Sequence, residues 1–255
     1  MSGGRIGYRD PTDYKGVWSL DEAIERIRLG TWGNDPYWAN VVAMLPMDGT
    51  NGSTTFTDVK GHTFTASGNA QIDTTQSKFG GASGLFDGTG DLVSSANHAD
   101  WDVGSGDFTI ECWVRPAAIS TTRNIATKRA DSSGYAPFLI YIDTSGKAGF
   151  TLSTSGSGWN VNILSVAAMY TAGTWAHVAM CRQSSNVYCW VNGVSAGTGS
   201  ASGAVMTNTQ PLCIGANGDA TQSFNGNIDD FRITKGVARY TSSFTLTSMY
   251  AFPNG

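Results

Sequence analysis

From Val41 onward, short apolar segments alternate with Asp-Gly and Asn-Gly pairs, and this pattern restricts the fold more than any other feature of the sequence. Such pairs tolerate the positive φ angles that tight hairpins need. They stand at residues 48–49, 51–52, 87–88, 192–193, 217–218 and 225–226. The segments between them are closely spaced and lack a helical period, so the sequence predicts an all-β fold, an antiparallel sandwich or barrel.

The segment DFTIECWVR at residues 107–115 has the clearest strand alternation. Alternate side chains of a strand point to opposite faces, so one face holds Phe108, Ile110, Cys112 and Val114. The other face holds Thr109, Glu111, Trp113 and Arg115. The predicted strands include residues 41–47, 54–59, 62–67, 84–88, 107–115, 136–142, 147–153, 159–166, 174–182, 186–193, 211–215 and 229–234.

Residues 1–40 differ from the remainder and form a separate region, with the sandwich predicted over residues 41–255. SLDEAIERIRLG predicts a short helix, with Ser19 as the N-cap of a capping box and Gly30 as the stop. Ten or so residues are marginal for an isolated helix, so this one must pack on something. Two alternatives remain open: an arm that docks on another chain, or a helix folded against its own domain. The apolar residues available for docking are Leu20, Ile24, Ile27 and Trp32.

Charge and composition exclude several classes of function. The net charge is −4 and no basic stripe is visible, so we expect no nucleic-acid partner. No apolar run is long enough to span a membrane, and none reads as a lipid anchor. The first residues, MSGGRIGYRDPTDYKG, lack the apolar core of a secretory signal, so we expect synthesis in the cytoplasm without export through that route.

Four cysteines lie in strand-like apolar runs and show no metal-binding spacing. Buried free thiols are the simplest interpretation, because an unpaired cysteine behaves as a small hydrophobe. A second interpretation concerns the hairpin AMCRQSSNVYCWV. If it turns at its SSN, then Cys181 and Cys189 lie opposite each other and a disulfide becomes feasible.

A succession of blocks along the chain resembles the laminin-G-like, concanavalin-A-like jelly roll. The blocks are FDGTGDLV, DFTIECWVRP, TWAHVAMCR, YCWVNG, IG and FNGNIDDFRI, within residues 41–250. The resemblance implies a jelly-roll sandwich of two stacked antiparallel sheets, which follows the short helical arm. Members of this superfamily often bind glycans or proteins through rim loops or the concave sheet, and many carry a structural calcium ion.

Two flanking stretches, GVWSLDEAIERIRLGTW and ITKGVARYTSSFT, are similar to those beside this domain in proteins of tailed-bacteriophage particles. This narrower resemblance implies a virion component, such as a tail-fibre, head-fibre or capsid-decoration protein. It further implies other virion proteins as partners of the N-terminal arm and several copies of the chain on each particle.

Adjacent aspartates interrupt the predicted strand NIDDFRI. If Phe231 and Ile233 face the core, strict alternation places Asp229 on the core side as well and Ile228 on the wrong side. A β-bulge at the aspartates would shift the alternation by one residue. Alternatively, Ca²⁺ at the sheet edge would bind the carboxylates, since it collects oxygen ligands. The simpler alternative to calcium is that the aspartates accept hydrogen bonds from backbone amides and cap the strand. Related jelly rolls suggest that the Asp-Gly turn FDGTGD supplies the other carboxylates, so the calcium hypothesis names Asp87, Asp91, Asp229 and Asp230.

Aromatic side chains in polar loops are the residues expected to bind glycan. Trp159 and Tyr135 lie in loops rich in glycine and serine, and Trp101 lies in HADWDVG. Sugars stack on such rings and hydrogen-bond to amides, carboxylates and backbone groups. The alternative for each ring is that it folds over the end of the sandwich as a lid, and the family resemblance makes Trp101 the most core-like of the three.

Catalytic patterns are weak. Glycoside hydrolysis needs two carboxyl groups across one bond, whereas the sandwich contains one glutamate, Glu111, which we expect in an ion pair on the sheet face. The G-x-S-x-G match at residues 193–197 lacks the strand-to-helix context of a nucleophile elbow. The three histidines show neither metal nor triad spacing, and we expect them to serve packing. No catalytic residue is therefore predicted.

The sequence therefore predicts a non-enzymatic surface protein of a phage virion, which attaches through residues 1–40 and displays a lectin-like sandwich toward host-surface glycan. A stand-alone carbohydrate-binding module is the second hypothesis, and a polysaccharide-cleaving enzyme is the third.

Overall fold

The structure is a computed structural model and describes residues 35–246. The chain divides into two compact units, residues 1–39 with 252–255 and residues 40–251, and most of the described residues belong to the second. The proposed docking residues Leu20, Ile24, Ile27 and Trp32 lie outside the described range. The division into an arm, residues 1–40, and a sandwich, residues 41–255, therefore stays a prediction.

Short strands joined by turns form the second unit. In chain order they are β1 (Val41–Leu45), β2 (Thr55–Thr57), β3 (Thr63–Ser67), β4 (Gln71–Asp73), β5 (Ser83–Asp87), β6 (Leu92–Ser95), β7 (Phe108–Pro116), β8 (Arg123–Thr127), β9 (Phe138–Ile142), β10 (Ala148–Leu152), β11 (Val161–Leu164), β12 (Ala176–Gln183), β13 (Asn186–Val191), β14 (Val194–Ser200), β15 (Leu212–Ile214) and β16 (Asn225–Lys235). Single-turn 3-10 helices occur at Trp38–Asn40 and Ala99–Trp101.

The strands form two antiparallel sheets of eight strands each. Sheet A has the order β14-β13-β12-β7-β16-β5-β4, and β1 also pairs with β16. Sheet B has the order β11-β10-β9-β8-β15-β6-β3-β2. The predicted all-β, two-sheet antiparallel fold is confirmed. No helix described between residues 35 and 246 has the length and apolar character needed to cross a membrane.

One hydrophobic core lies between the sheets. The predicted inward face of β7 is part of it, with Phe108, Ile110, Cys112 and Val114 all at most 1% exposed. From sheet B, Phe138, Ile140 and Phe150 belong to the same cluster. Each sheet therefore has one face in the core and an opposite, outer face on which polar residues can be placed.

A β-bulge in β16 resolves the position of the adjacent aspartates. Asp229 pairs with Trp113 and Arg232 with Glu111, so two residues of β16 stand opposite one residue of β7. Asp230 has a φ of 47°, a left-handed conformation that aspartate tolerates better than most residues. The extra residue shifts the alternation as the bulge hypothesis expected, and Ile228 and Phe231 are both fully buried in the core.

The disulfide considered between Cys181 and Cys189 is wrong. The hairpin turns on two residues, so Cys181 pairs with Tyr188 and Met180 with Cys189. A turn one residue longer would have placed the cysteines opposite each other. Instead Cys189 lies in the main core and Cys181 in a separate cluster on the outer face of sheet A. All four cysteines are buried free thiols.

Candidate functional site

Polar and aromatic side chains cross the outer face of sheet B in two neighbouring rows. Cross-strand pairing places Asn124 of β8 beside Tyr141 of β9, and Tyr141 beside Gly149 of β10. In the next row, Thr151 of β10 stands between Leu139 and Asn162 of the flanking strands. These positions alternate with the core residues of the same strands, so one pattern builds both the core and this surface.

A groove of about 350 Å³ lies on this face. Its volume is at the lower end of the range of ligand pockets, roughly 300–1,000 Å³. The lining combines aromatic rings with amides and hydroxyls, and it contains one charged side chain. The residues are Thr122, Asn124, Arg129, Leu139, Tyr141, Thr151, Trp159, Asn162 and Gln222.

Two polar atoms of the groove residues lack protein partners. Asn124 Oδ1 and Thr151 Oγ1 are buried, and neither has a hydrogen-bond partner among residues 35–246. The amide of Asn124 is fixed in orientation, because its Nδ2 donates to Asn217 Oδ1 at 2.7 Å. A buried polar group without a partner is costly, so these two atoms keep hydrogen-bonding capacity that the described part of the protein does not use. Trp113 Nε1 on sheet A and the hydroxyl of Tyr170 in the core likewise have no partner among the described residues.

The aromatic parts of the groove are held by close packing. The ring of Tyr141 lies over the backbone of Gly149, so close that any side chain at position 149 would overlap it. Trp159 packs edge-on against Tyr135, with their ring centroids 5.2 Å apart. The guanidinium of Arg129 stands 5.8 Å from the centroid of the Trp159 ring. The Arg129 side chain also donates to the carbonyls of Ser132 and Gly134, which ties the loop before Tyr135 to the groove.

The structure separates the three aromatic residues predicted to bind glycan. Trp159 and Tyr135 contact each other, Trp159 lines the groove, and Tyr135 remains 39% exposed. Trp101 does not belong to this surface. It is 1% exposed, and its Nε1 donates to the carbonyl of Ala96 at 3.0 Å. The ring of Trp101 is therefore part of the core, and its inclusion as a glycan-binding residue is corrected.

The outer face of sheet A is organised around the buried carboxylate of Glu111. Its Oε1 accepts hydrogen bonds from Arg232 Nε at 3.0 Å and Nη2 at 2.8 Å, and its Oε2 accepts one from Tyr240 at 2.9 Å. His177 Nε2 lies 3.1 Å from the same Oε2. Burial alone would raise the pKa of Glu111, but Arg232 and His177 hold that pKa well below its usual value. The expected ion pair exists, and Arg232 is its cation.

The C-terminal segment, residues 236–246, covers this face of sheet A. Tyr240 and Phe244 stack on each other and belong to the cluster around Trp190 and Cys181. The indole of Trp190 donates to the carbonyl of Tyr240 at 3.0 Å, and the amide of Phe244 donates to Gly193 at 3.2 Å. The stretch ITKGVARYTSSFT thus includes a structural cover for the ion pair.

The bulge aspartate Asp229 lies on the same outer face. Its Oδ2 accepts hydrogen bonds from the amides of Lys78 and Phe79 at 2.7 and 3.1 Å. Burial raises the pKa of Asp229 to about 7, although these amides act to lower it, and the nearby Asp48 adds to the rise. The side chain therefore joins the loop at residues 78–79 to β16.

The four aspartates of the calcium hypothesis fall into two separate pairs. Asp91 is fully buried and accepts from the amides of Asn69 and Asp87 at 2.5 and 2.6 Å, and Asp87 accepts from the amide of Thr89 at 2.8 Å. Within residues 35–246 these two do not meet Asp229 and Asp230 in one group of ligand atoms. The four aspartates thus do not form one shared group among the described residues, and calcium binding by either pair stays a prediction.

Within the described residues, a single group of His, Cys, Asp and Glu side chains has the spacing of a metal site, and sequence reasoning missed it. It comprises His62, His98 and Asp100. The G-x-S-x-G match, by contrast, spans a hairpin turn and β14 in an all-β unit, without the helix that a nucleophile elbow requires.

Comparison with protein families agrees with this architecture. A family model described as "Concanavalin A-like lectin/glucanases superfamily" matches residues 87–239. No curated protein sequence matches the chain.

Several solved structures share the fold. The binding domain of Paraclostridial Mosquitocidal Protein 1 is similar with a TM-score of 0.60 and 13% identity over 79% of this chain, which spans 50% of that chain. Domain 4 of AbnA, a GH43 extracellular arabinanase from Geobacillus stearothermophilus in complex with arabinotriose, has a TM-score of 0.58 and 18% identity over 78% of this chain and 94% of its own. Trypanosoma rangeli sialidase has a TM-score of 0.56 and 14% identity over 78% of this chain and 31% of its own. At these identities the likeness shows the fold alone.

Proposed function

This chain belongs to the concanavalin A-like lectin/glucanases superfamily, and we propose that it is a carbohydrate-binding protein that takes its ligand in the groove on sheet B. The observation that carries the proposal is the pair of unpartnered polar atoms, Asn124 Oδ1 and Thr151 Oγ1, in one groove with Tyr141 and Trp159. Hydroxyls of the sugar donate to Asn124 Oδ1 and exchange a hydrogen bond with Thr151 Oγ1. The C–H face of the sugar packs on the rings of Tyr141 and Trp159.

The composition of the groove favours an uncharged or acidic glycan. Asn162 and Gln222 add amide donors and acceptors, and Arg129 is the one charged residue in the lining. Burial lowers the pKa of Arg129, but the guanidinium stays cationic at neutral pH. A positively charged sugar would therefore be repelled, whereas hydroxyl-rich and carboxylated sugars match the donors present.

We infer that the glycan is bound without being cleaved. Hydrolysis of a glycosidic bond uses two carboxyl groups on either side of it. The lining described above contains neither aspartate nor glutamate. Glu111, the sole glutamate of the sandwich, lies on the other sheet with both carboxylate oxygens occupied by protein donors.

A glycan array probed with the full chain tests this function. The array includes arabino-oligosaccharides, because AbnA domain 4 was solved with arabinotriose. We expect selective binding by the wild type. Trp159→Ala should reduce the affinity by about tenfold or more, because the sugar loses the aromatic ring on which it stacks. Phe79→Ala, which truncates a half-buried ring on the sheet A side, is the matched control and should bind as the wild type does.

An array without binding, or binding that Trp159→Ala leaves unchanged, would reject the groove as the site. Release of reducing ends from a bound polysaccharide would reject binding without cleavage.

We propose further that the protein acts on the surface of a tailed-phage particle, with residues 1–40 as its attachment arm and other virion proteins as the partners. The support is the resemblance of residues 16–32 and 233–245 to stretches that flank this domain in phage proteins. On the particle, several copies would present their grooves to host-surface glycan and gain avidity.

Deletion of residues 1–40 tests the attachment. The truncated chain should keep the circular dichroism and glycan binding of a folded sandwich, yet be absent from purified particles. Normal incorporation of the truncated chain would contradict the role of the arm without affecting the groove.

A further inference from the structure

We propose that His62, His98 and Asp100 form a binding site for a divalent transition metal ion, with Zn²⁺ as the probe of choice. The chain has three histidines, and two of them meet here although they lie 36 positions apart in the sequence. One nitrogen of each imidazole and one carboxylate oxygen of Asp100 all lie within 4.8 Å of one another.

Two of the three ligand-atom distances are close to those of tetrahedral coordination. His62 Nε2 is 2.9 Å and His98 Nδ1 is 3.3 Å from Asp100 Oδ2, so the carboxylate oxygen stands near both nitrogens. At metal–ligand bonds of about 2.0–2.1 Å, the ligand atoms of a tetrahedral site are roughly 3.3 Å apart. The two histidine nitrogens lie within 4.8 Å of each other, and rotation of the more exposed His98 side chain can adjust that distance around an ion.

The backbone around the site is fixed before any ion arrives. His62 directly precedes β3, and its amide donates to Asp58 Oδ2 at 3.0 Å. His98 is the N-cap of the 3-10 helix Ala99–Trp101, and its Nδ1 accepts from the Asp100 amide at 3.2 Å. The lone pair of His98 Nδ1 thus lies on the side of Asp100 and is used by this amide, so an ion that binds Nδ1 replaces the cap hydrogen bond.

The buried Trp101 forms the floor of the site. Its ring centroid lies 4.5 Å from that of His62 and 6.1 Å from that of His98. The imidazole of His62 is 17% exposed and that of His98 is 52% exposed, so solvent and ions reach the site from one side. Pre-organised ligands on a rigid floor lose little conformational entropy when they bind.

The ligand chemistry selects the kind of ion. Two imidazoles and one carboxylate suit Zn²⁺, Cu²⁺ or Ni²⁺, whereas Ca²⁺ takes six to eight oxygen atoms. Three protein ligands leave one tetrahedral position for water or for a group of a bound partner. The site is distinct from the aspartates of the calcium hypothesis and lies apart from the groove residues of sheet B.

A hydrogen-bond network without a metal is the competing account. In it, His62 Nε2 donates to Asp100 and His98 serves only as an N-cap. The two accounts differ in what happens when the imidazoles are replaced by groups that keep those hydrogen bonds but bind metal poorly.

Calorimetric titration of the tag-free full-length chain with ZnCl₂, together with thermal unfolding, separates the accounts. We expect one Zn²⁺ per chain and a higher unfolding temperature with the ion, because an ion that binds the folded state stabilises it. His62→Gln keeps an amide donor for Asp100, and His98→Asn keeps the N-cap acceptor. Each should reduce Zn²⁺ affinity by about tenfold or more and abolish the thermal shift, with the fold retained.

Asp87→Asn is the matched control, because it removes an exposed turn carboxylate of the calcium hypothesis and should leave Zn²⁺ binding unchanged. CaCl₂ should not reproduce the thermal shift. Absence of Zn²⁺ binding by the wild type, equal binding by both histidine variants, or loss of binding in Asp87→Asn would each overturn the proposal.

Discussion

The outer faces of the two sheets both carry polar residues on regular strands, yet their surroundings are opposite. On sheet A, the C-terminal segment lies over Glu111, and both carboxylate oxygens accept hydrogen bonds from the protein. On sheet B, strands β8–β11 border an open groove in which Asn124 Oδ1 and Thr151 Oγ1 have no partner among the described residues.

This difference indicates which buried polar groups stabilise the fold and which face a ligand. Around Glu111 the network is satisfied, because both carboxylate oxygens are used within the protein, although Trp113 Nε1 on the same face has no partner among the described residues. A face with unpartnered atoms and rings keeps its hydrogen-bonding capacity for another molecule, at some cost to stability. Changes on sheet A should therefore affect stability, and changes on sheet B should affect binding.

Replacing Glu111 should produce the largest effect. Glu111→Gln leaves Arg232 buried opposite a neutral amide, and loss of one partner of a buried ion pair costs about 3–5 kcal/mol. Urea unfolding measures this as a drop in the free energy of unfolding, while glycan affinity under native conditions stays close to that of the wild type. Asp219→Asn, at an exposed turn, is the control with little expected change. A loss below about 1 kcal/mol for Glu111→Gln would contradict the structural role of the ion pair.

Asp229 should make the free energy of unfolding fall as the pH rises, which is opposite to the effect of Glu111. Its pKa of about 7 in the folded protein exceeds the unfolded value of about 3.9, so the folded state binds the proton more tightly. The resulting stability is complete below about pH 4 and is lost as the pH rises through 7, by at most about 4 kcal/mol. Glu111, with its lowered pKa, contributes stability above about pH 4.3 that is lost in acid.

Asp229→Asn separates these contributions, because the amide oxygen still accepts from Lys78 and Phe79 but does not titrate. Unfolding free energies at pH 4, 5.5 and 7 should decline less in the variant than in the wild type. Parallel pH profiles for the two proteins would show that Asp229 is ionised in the folded state throughout this range.

Gly149→Ala should sharpen the contrast on sheet B. The new methyl group displaces the Tyr141 ring from its place over β10, and we expect glycan affinity to fall by roughly tenfold. The free energy of unfolding should change by about 1 kcal/mol or less, because Gly149 has an ordinary negative φ. Gly106→Ala adds the same atom in a spacious position and should bind normally. Equal affinities for both variants would exclude the Tyr141 ring from the binding site.

Thr151→Val should give the smallest change in the free energy of unfolding, and the sign of that change is informative. The variant keeps the shape of the side chain but removes the buried, unpartnered hydroxyl, so the free energy of unfolding should stay equal or rise by about 1 kcal/mol. Glycan affinity should nevertheless fall, and Thr151→Ser, which keeps the hydroxyl, should retain most of it. A Thr151→Val protein that is less stable and binds glycan normally would show that this hydroxyl stabilises the fold and does not bind the ligand.

The sequence predicted the fold because strand alternation and turn chemistry are local. The pattern of residues 107–115 identified the core face of β7, and the adjacent aspartates indicated a bulge as one of the alternatives. The pair Trp159 and Tyr135 was also recognisable, because large rings are unexpected in loops rich in glycine and serine.

The remaining site residues depend on information that is not local. Asn124, Tyr141 and Thr151 are ordinary outward positions of three strands, and the register between those strands brings them together. Which outer face stays open depends on the C-terminal segment, whose docking on sheet A no periodicity reveals. The same holds for His62 and His98, which sheet topology rather than spacing makes neighbours.

The most direct test of the groove is an NMR titration of the ¹⁵N- and methyl-labelled chain with a glycan selected on the array. We predict that chemical-shift changes concentrate in β8–β11 and in the loops that carry Tyr135 and Trp159, while Glu111, Tyr240 and their neighbours on sheet A do not respond. Changes centred on sheet A, or on the turn at Asp87 and Asp91, would contradict the assignment of the open face of sheet B as the binding surface.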